Sequence, residues 1–127
     1  MHGKNLFDYA VIRVVPRVER EEFLNVGVIV YCKAEQFLQI KYKLDHQRLR
    51  ALFPELDLEL VSANLQAMEQ ICHGVKAGGN IAGLDKASRF RWLTATRSTI
   101  IQHSRVHPGY TENAAKTLEK LFEEQVL

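Results

Sequence analysis

Three apolar, β-branched runs joined by links too short for a crossover constrain this chain more than any other feature. FDYAVIRVV, from Phe7 to Val15, stops at Pro16; FLNVGVIVYC runs from Phe23 to Cys32; FLQIKYK runs from Phe37 to Lys43. Val, Ile, Phe and Tyr suit a half-buried pleated surface, and proline cannot donate to a ladder. Parallel neighbours need a connection of about a dozen residues or more, whereas PRVEREE and KAEQ suffice only for hairpins. The three runs therefore predict an antiparallel meander.

Strict alternation then assigns faces. It places Ile12, Val14, Val26, Val28, Val30, Leu38, Ile40 and Tyr42 on one strongly apolar side. The other side takes Tyr9, Val11, Arg13, Phe23, Asn25, Gly27, Ile29 and Tyr31, and is mixed at one end.

After the strands the period changes. DHQRLRALFP predicts a short helix opened by Asp45 and closed before Pro54, with Leu49, Leu52 and Phe53 inward. From Asp57 as N-cap, Leu60, Val61, Leu65, Met68, Ile71, Cys72 and Val75 recur at spacings of mostly three and four. A long central helix follows from that spacing, with Gly78 or Gly79 as its stop. KASRFRWLTA is read as a helical turn or an irregular segment, STIIQHS as a fourth strand, and HPG as a turn. The last helix is expected to start at a Thr111 cap and to bury Ala115, Leu118, Leu121, Phe122 and Gln125 or Val126. Strands first, helices after, and one late strand define an α+β fold. Its three-stranded meander and fourth strand pack against helices that include the central and C-terminal ones, in a single domain over residues 1–127.

Composition narrows function by exclusion. With 46% hydrophobic and 25% charged residues the chain is neither disordered nor low in complexity. A formal charge of +2 gives no strong field for nucleic acid or membranes. No apolar run approaches the roughly 20 residues of a bilayer span, and MHGKNLFDYAVIRVV has no cleavage pattern of a secretory signal. Cys32 and Cys72 each fall on an apolar stripe, the setting of buried free thiols. These features place the chain in the cytoplasm, with no membrane partner.

The sharpest local question lies in EREEFLNVGVIVYC, where a buried strand opens with Asn25 and contains Gly27. A hairpin centred near Glu19 sets Arg13 opposite Asn25 and Val11 opposite Gly27. Glycine in a strand weakens it but admits a close neighbour, and Asn25 brings two donors and an acceptor. One reading is structural: both residues accommodate a loop or helix packed over the sheet. The other makes Arg13, Glu22 and Asn25 the floor of a partner- or anion-binding site, with Gly27 giving access and Arg97 and Trp92 arriving from the basic segment. This second reading requires Glu22 to lie outside the regular strand.

Other patterns are incomplete. His103 and His107 have i,i+4 spacing without the glutamate of a zinc-protease helix, and Pro108 follows at once. AGGNIAG lacks the lysine and hydroxyl residue of a phosphate loop. No nucleophile stands in a recognisable motif, so no catalytic residue, metal or cofactor is assigned. SRFRWLTATRS interleaves Phe90 and Trp92 with Arg89, Arg91 and Arg97, the ingredients of phosphate contact and base stacking.

YAVIRVVPRVEREEFLNVGVIVYC resembles the leading motif of the bacterial family called domain of unknown function 3037, and RFRWLTATRSTIIQHSRVHPGYTENAAKTLEKLFEEQV is similar to its second block. The resemblance covers nearly the whole chain. It implies a protein partner, a HipA-like kinase, and carries no catalytic residues. The expectation is thus a non-catalytic accessory or regulatory subunit that binds another protein. The alternative is a nucleic-acid-binding or phosphate-handling enzyme that uses the Arg13 and Arg97 region.

Overall fold

A computed structural model describes residues 4–95 and 100–127. Strand β1 (Asn5–Val14) pairs antiparallel with β2 (Leu24–Cys32), and β2 with β3 (Phe37–Tyr42), giving the expected meander. Strands β4 (Ile101–His103) and β5 (His107–Thr111) both pair with the far side of β1, so β1 is central in a five-stranded antiparallel sheet ordered β3-β2-β1-β4. The fold is α+β.

The faces depart from strict alternation at one point. Ile12 pairs with Gly27 but Arg13 pairs with Asn25, so Val26 is an extra residue, a β-bulge. Its carbonyl accepts from Lys43 N at 2.8 Å on the β3 side. Counting resumes one residue out of phase, and Val11 opposes Val28 rather than Gly27. Leu24, Val26 and Ile29 therefore join Ile12, Val14, Leu38 and Ile40 on one face, while Val28, Val30 and Cys32 join Phe7 on the other. Val28 and Val30 thus lie on the side opposite to the one alternation assigned.

Each face has its own cover. Helices α1 (His46–Leu52), α2 (Leu58–His73) and α3 (Lys86–Leu93) supply the first core through Leu49, Leu58, Val61, Leu65, Ile71, Phe90 and Leu93. Helix α4 (Ala114–Gln125) supplies the second through Ala114, Leu118, Phe122 and the following Val126. Burying a Leu or Phe side chain contributes about 1.5–3 kcal/mol, so both cores matter.

Helix ends obey local chemistry. Asp45, Asp57 and Asp85 accept from Arg48 N, Leu60 N and Ser88 N as N-caps. The α2 stop is Gly74, with φ 68°, ahead of the expected Gly78 or Gly79: a left-handed C-cap residue ends the helix where glycine first permits it. Leu60 and Val75 are exposed, and Leu58 occupies the inward position instead. Leu52, the last residue of α1, is exposed too, while Leu49 is buried.

Helix α4 is capped by Asn113, whose side chain accepts from Lys116 N, while Thr111 ends β5 and accepts from Asn113 N. Ala114 rather than Ala115 is buried, because four-residue steps from Leu118 and Phe122 lead to 114. The Glu35 carboxylate, in the β2–β3 turn, accepts from Ala114 N at 3.0 Å and ties the turn to the start of α4.

HPG, expected to turn, lies inside β5. Val11 and Val15 bond the edge through Ser104 N and Ile100 O, so alternate β1 residues face β4 and β5, and Asp8 does not. Pro108, opposite Asp8, therefore turns its missing N–H to the open side of the edge, where a proline disturbs nothing. From Tyr9 to Ile12 is three steps on β1, against four from His107 to His103, so this edge is bulged as well. The proline and bulge blunt it against pairing with another chain.

Gly27 is held tightly: a Cβ there would stand 2.8 Å from the Lys41 carbonyl and 2.9 Å from Tyr42 Cβ. Gly27→Ala is expected to cost about 1–3 kcal/mol by overpacking, read as a lower urea midpoint with an unchanged slope.

Candidate functional site

The end of the β1–β2 hairpin brings two of the sequence candidates together. Arg13 and Asn25 are cross-strand partners beside the bulge, on the face covered by α4. Asn25 Nδ2 donates to Gln125 O at 3.0 Å, which fixes the amide against the last turn of α4. The Arg13 guanidinium lies over the Phe23 ring, 4.2 Å from its centroid, and Phe23 is 46% exposed. Arg13 Nε and Asn25 Oδ1 are buried atoms without a hydrogen-bond partner among the described residues. A donor and an acceptor on cross-strand partners thus lie beside an exposed aromatic ring, and neither has a partner among the described residues.

The remaining candidates are dispersed. Glu22 lies outside the strand and ion-pairs with Arg20; both line a cleft of about 590 Å³ with Arg17, Phe53 and Asp57. Gly27 sits mid-sheet, where β3 takes the space its missing side chain leaves. Trp92, on α3, lines a separate groove with Met68 and His103. Arg97 lies outside the described residues.

The basic segment divides in a way its sequence hides. Phe90 is buried in the first core and stacks on Tyr31 at 5.6 Å. Arg89 is only 7% exposed, and its Nη1 donates to Ile71 O and Cys72 O at 2.9 and 3.0 Å. A guanidinium at a helix C-terminus meets the negative end of the dipole and the carbonyls that the helix leaves open. Gly74 makes room for it: a Cβ there would fall 2.8 Å from Arg89 Nη1. Arg89 and Phe90 thus serve the fold from within. Arg91 is exposed and reaches Ser88 Oγ.

The two histidines also part company. His103 pairs with Ile12 and faces the α2 side; His107 pairs with Tyr9, lies tilted against its ring at 5.2 Å and faces the α4 side. Opposite faces of a sheet cannot share one ion. No group of three metal-ligating side chains occurs among the described residues.

Two ionisable groups on α2 and β3 respond to burial. It pushes the Cys72 thiol up to about 12, with Arg89 opposing. It also raises the Tyr42 phenol, helped by the Glu69 carboxylate that accepts from its hydroxyl. A buried protonated thiol is a poor nucleophile.

Phe23 and His103 were not singled out as site residues by sequence reasoning. Phe23 could have been found from its alternation with Asn25 and its cross-strand relation to Arg13. His103 is marked in the sequence only by its spacing from His107, and its surroundings come from α2 and α3.

The geometry defines a small α+β protein with a polar corner at a sheet end. The model of the family described as "Protein of unknown function (DUF3037)" matches residues 9–126, nearly the whole chain, and the protein belongs to that family. No curated protein and no solved structure matches it. Among the described residues no helix is long and apolar enough to cross a membrane.

Arg89→Met should destabilise the fold by about 1–3 kcal/mol, since the helix-end carbonyls lose a buried donor; chemical denaturation measures this. Cys72 has a folded pKa above its ordinary value near 9, so the fold favours the protonated thiol. Its contribution is complete below pH 9 and is lost as pH rises towards 12. The fall in denaturation midpoint over that window should be shallower in Cys72→Ala than in the parent.

Proposed function

We propose that this protein is a non-catalytic accessory or regulatory subunit of the bacterial cytoplasm that binds another protein through the Arg13–Phe23–Asn25 corner. One observation carries the reading: an exposed Phe23 ring lies under an arginine whose Nε, like the neighbouring Asn25 Oδ1, lacks a partner among the described residues. Aromatic residues and arginine are enriched at interface centres, where a partner covers the exposed ring. The family resemblance supplies the class of partner, a HipA-like kinase. The inward role of Arg89 and Phe90 leaves less of the basic segment for nucleic acid, so a phosphate-handling role at Arg13 and Arg97 stands as the rival outcome.

The test is affinity purification of the tagged protein from its host at moderate salt, beside Arg13→Ala. That variant removes a cation–π contact worth about 0.5–1 kcal/mol and should stay folded. A stoichiometric protein partner is expected with the parent and should be lost with the variant, with little salt dependence. If the folded variant binds as before, or the bound material is nucleic acid released steeply by salt, the reading fails.

A further inference from the structure

We propose that the cleft between the β1–β2 loop and the α1–α2 link binds a short apolar peptide with both termini free, a di- or tripeptide zwitterion. The site is independent of the Arg13–Phe23–Asn25 corner. Its volume is about 590 Å³, within the range of roughly 300–1,000 Å³ usual for small-ligand sites. A cavity of about 150 Å³ suffices for benzene, so this one suits two or three residues rather than a single amino acid.

The lining sets the chemistry. Pro16, Leu52, Phe53, Pro54, Leu56 and Ile100 are its apolar part, and the remaining lining residues are all charged. The charges divide by wall. Arg17, Arg20 and Glu22 stand on the β1–β2 loop, which is net positive, whereas Glu55 and Asp57 on the α1–α2 link are both acidic. Neither ion pair among the described residues crosses the cleft. Arg20 is taken by Glu22, and Asp57 accepts from Leu60 N at 3.1 Å as the α2 cap. Arg17 and Glu55 are exposed, and their side chains have no hydrogen bond or ion pair among the described residues.

Both walls are set by the backbone. Arg20 N donates to Arg17 O at 3.2 Å across a 3₁₀ turn over Val18–Arg20. Leu56 N donates to Phe53 O at 3.1 Å, which closes a turn with Pro54 at its second position, where the fixed proline φ fits. Walls of opposite sign over an apolar floor match a ligand whose apolar body separates an anion from a cation. The peptide carboxylate meets Arg17, its ammonium meets Glu55, and its side chains cover Leu52, which is 57% exposed, beside Phe53. A neutral or singly charged ligand leaves at least one wall unmatched.

Isothermal titration calorimetry with leucylleucine, N-acetyl-leucylleucine, leucylleucinamide and the doubly capped peptide tests this. The titrations are run at about pH 6.5, below the roughly 7.7–8.0 at which a free amino terminus titrates. Leucylleucine should saturate one site and bind most tightly, and each cap should weaken binding about threefold to fivefold, the scale of an exposed ion pair. Arg17→Met should weaken the peptides that keep a free carboxylate and leave leucylleucinamide unchanged. Glu55→Gln should weaken those that keep a free ammonium and leave N-acetyl-leucylleucine unchanged. Both side chains are exposed, so both variants should fold, and Arg17→Lys, which keeps the charge, should retain most of the affinity. Absence of saturation by leucylleucine, equal binding of the doubly capped peptide, or losses that do not follow this matching of cap to residue would each overturn the proposal.

Discussion

The extra residue at Val26 is the constraint on which the rest of the structure depends. By putting two residues of β2 opposite one step of β1, it turns Val28, Val30 and Cys32 towards α4 while Leu24, Val26 and Ile29 stay with α2 and α3. Without it β2 would present a nearly continuous apolar row to one side and leave α4 little to bury against. With it, one strand feeds two cores. Gly27 follows directly, because the re-phased strand passes too close to Lys41 and Tyr42 for a side chain.

The same bulge borders the corner proposed to bind a partner. Asn25, just before it, points at α4 and holds the Gln125 carbonyl; Arg13, its cross-strand partner, is left to lie on Phe23. Bulges re-aim side chains, and here the residues re-aimed are Val28 and Val30, which join Asn25 on the α4 face. The corner is rigid because both its strands are in the sheet and its amide is anchored to a helix end.

The opposite face shows how a charged segment can be absorbed by the fold. Arg89 closes the C-terminus of α2, and its burial alongside Cys72 couples α3 to α2 through carbonyls rather than through an ion pair. That coupling positions Trp92 and Leu93 beside Met68 and Ile71, and β4 completes the groove with His103. The groove is therefore a by-product of helix capping.

Much was legible from local chemistry. The strand runs, the α+β class, the Asp45 and Asp57 caps and the Arg13–Asn25 pairing follow from β-propensity, apolar period and turn length, all of which act over a few residues. The phase of β2 beyond Asn25 was not legible, since nothing in LNVGVIVYC distinguishes a bulge from strict alternation. Nor was the strand around Pro108, because only an open edge beside β1 makes that proline acceptable. The placement of Arg89 inside and the gathering of His103, Met68 and Trp92 depended on contacts between segments far apart in the chain. Sequence by itself determined which segments form strands and helices, because periodicity and capping are local. Tertiary structure alone decided faces, edges and sites, because a register shift of one residue and the burial of one guanidinium are settled by long-range packing.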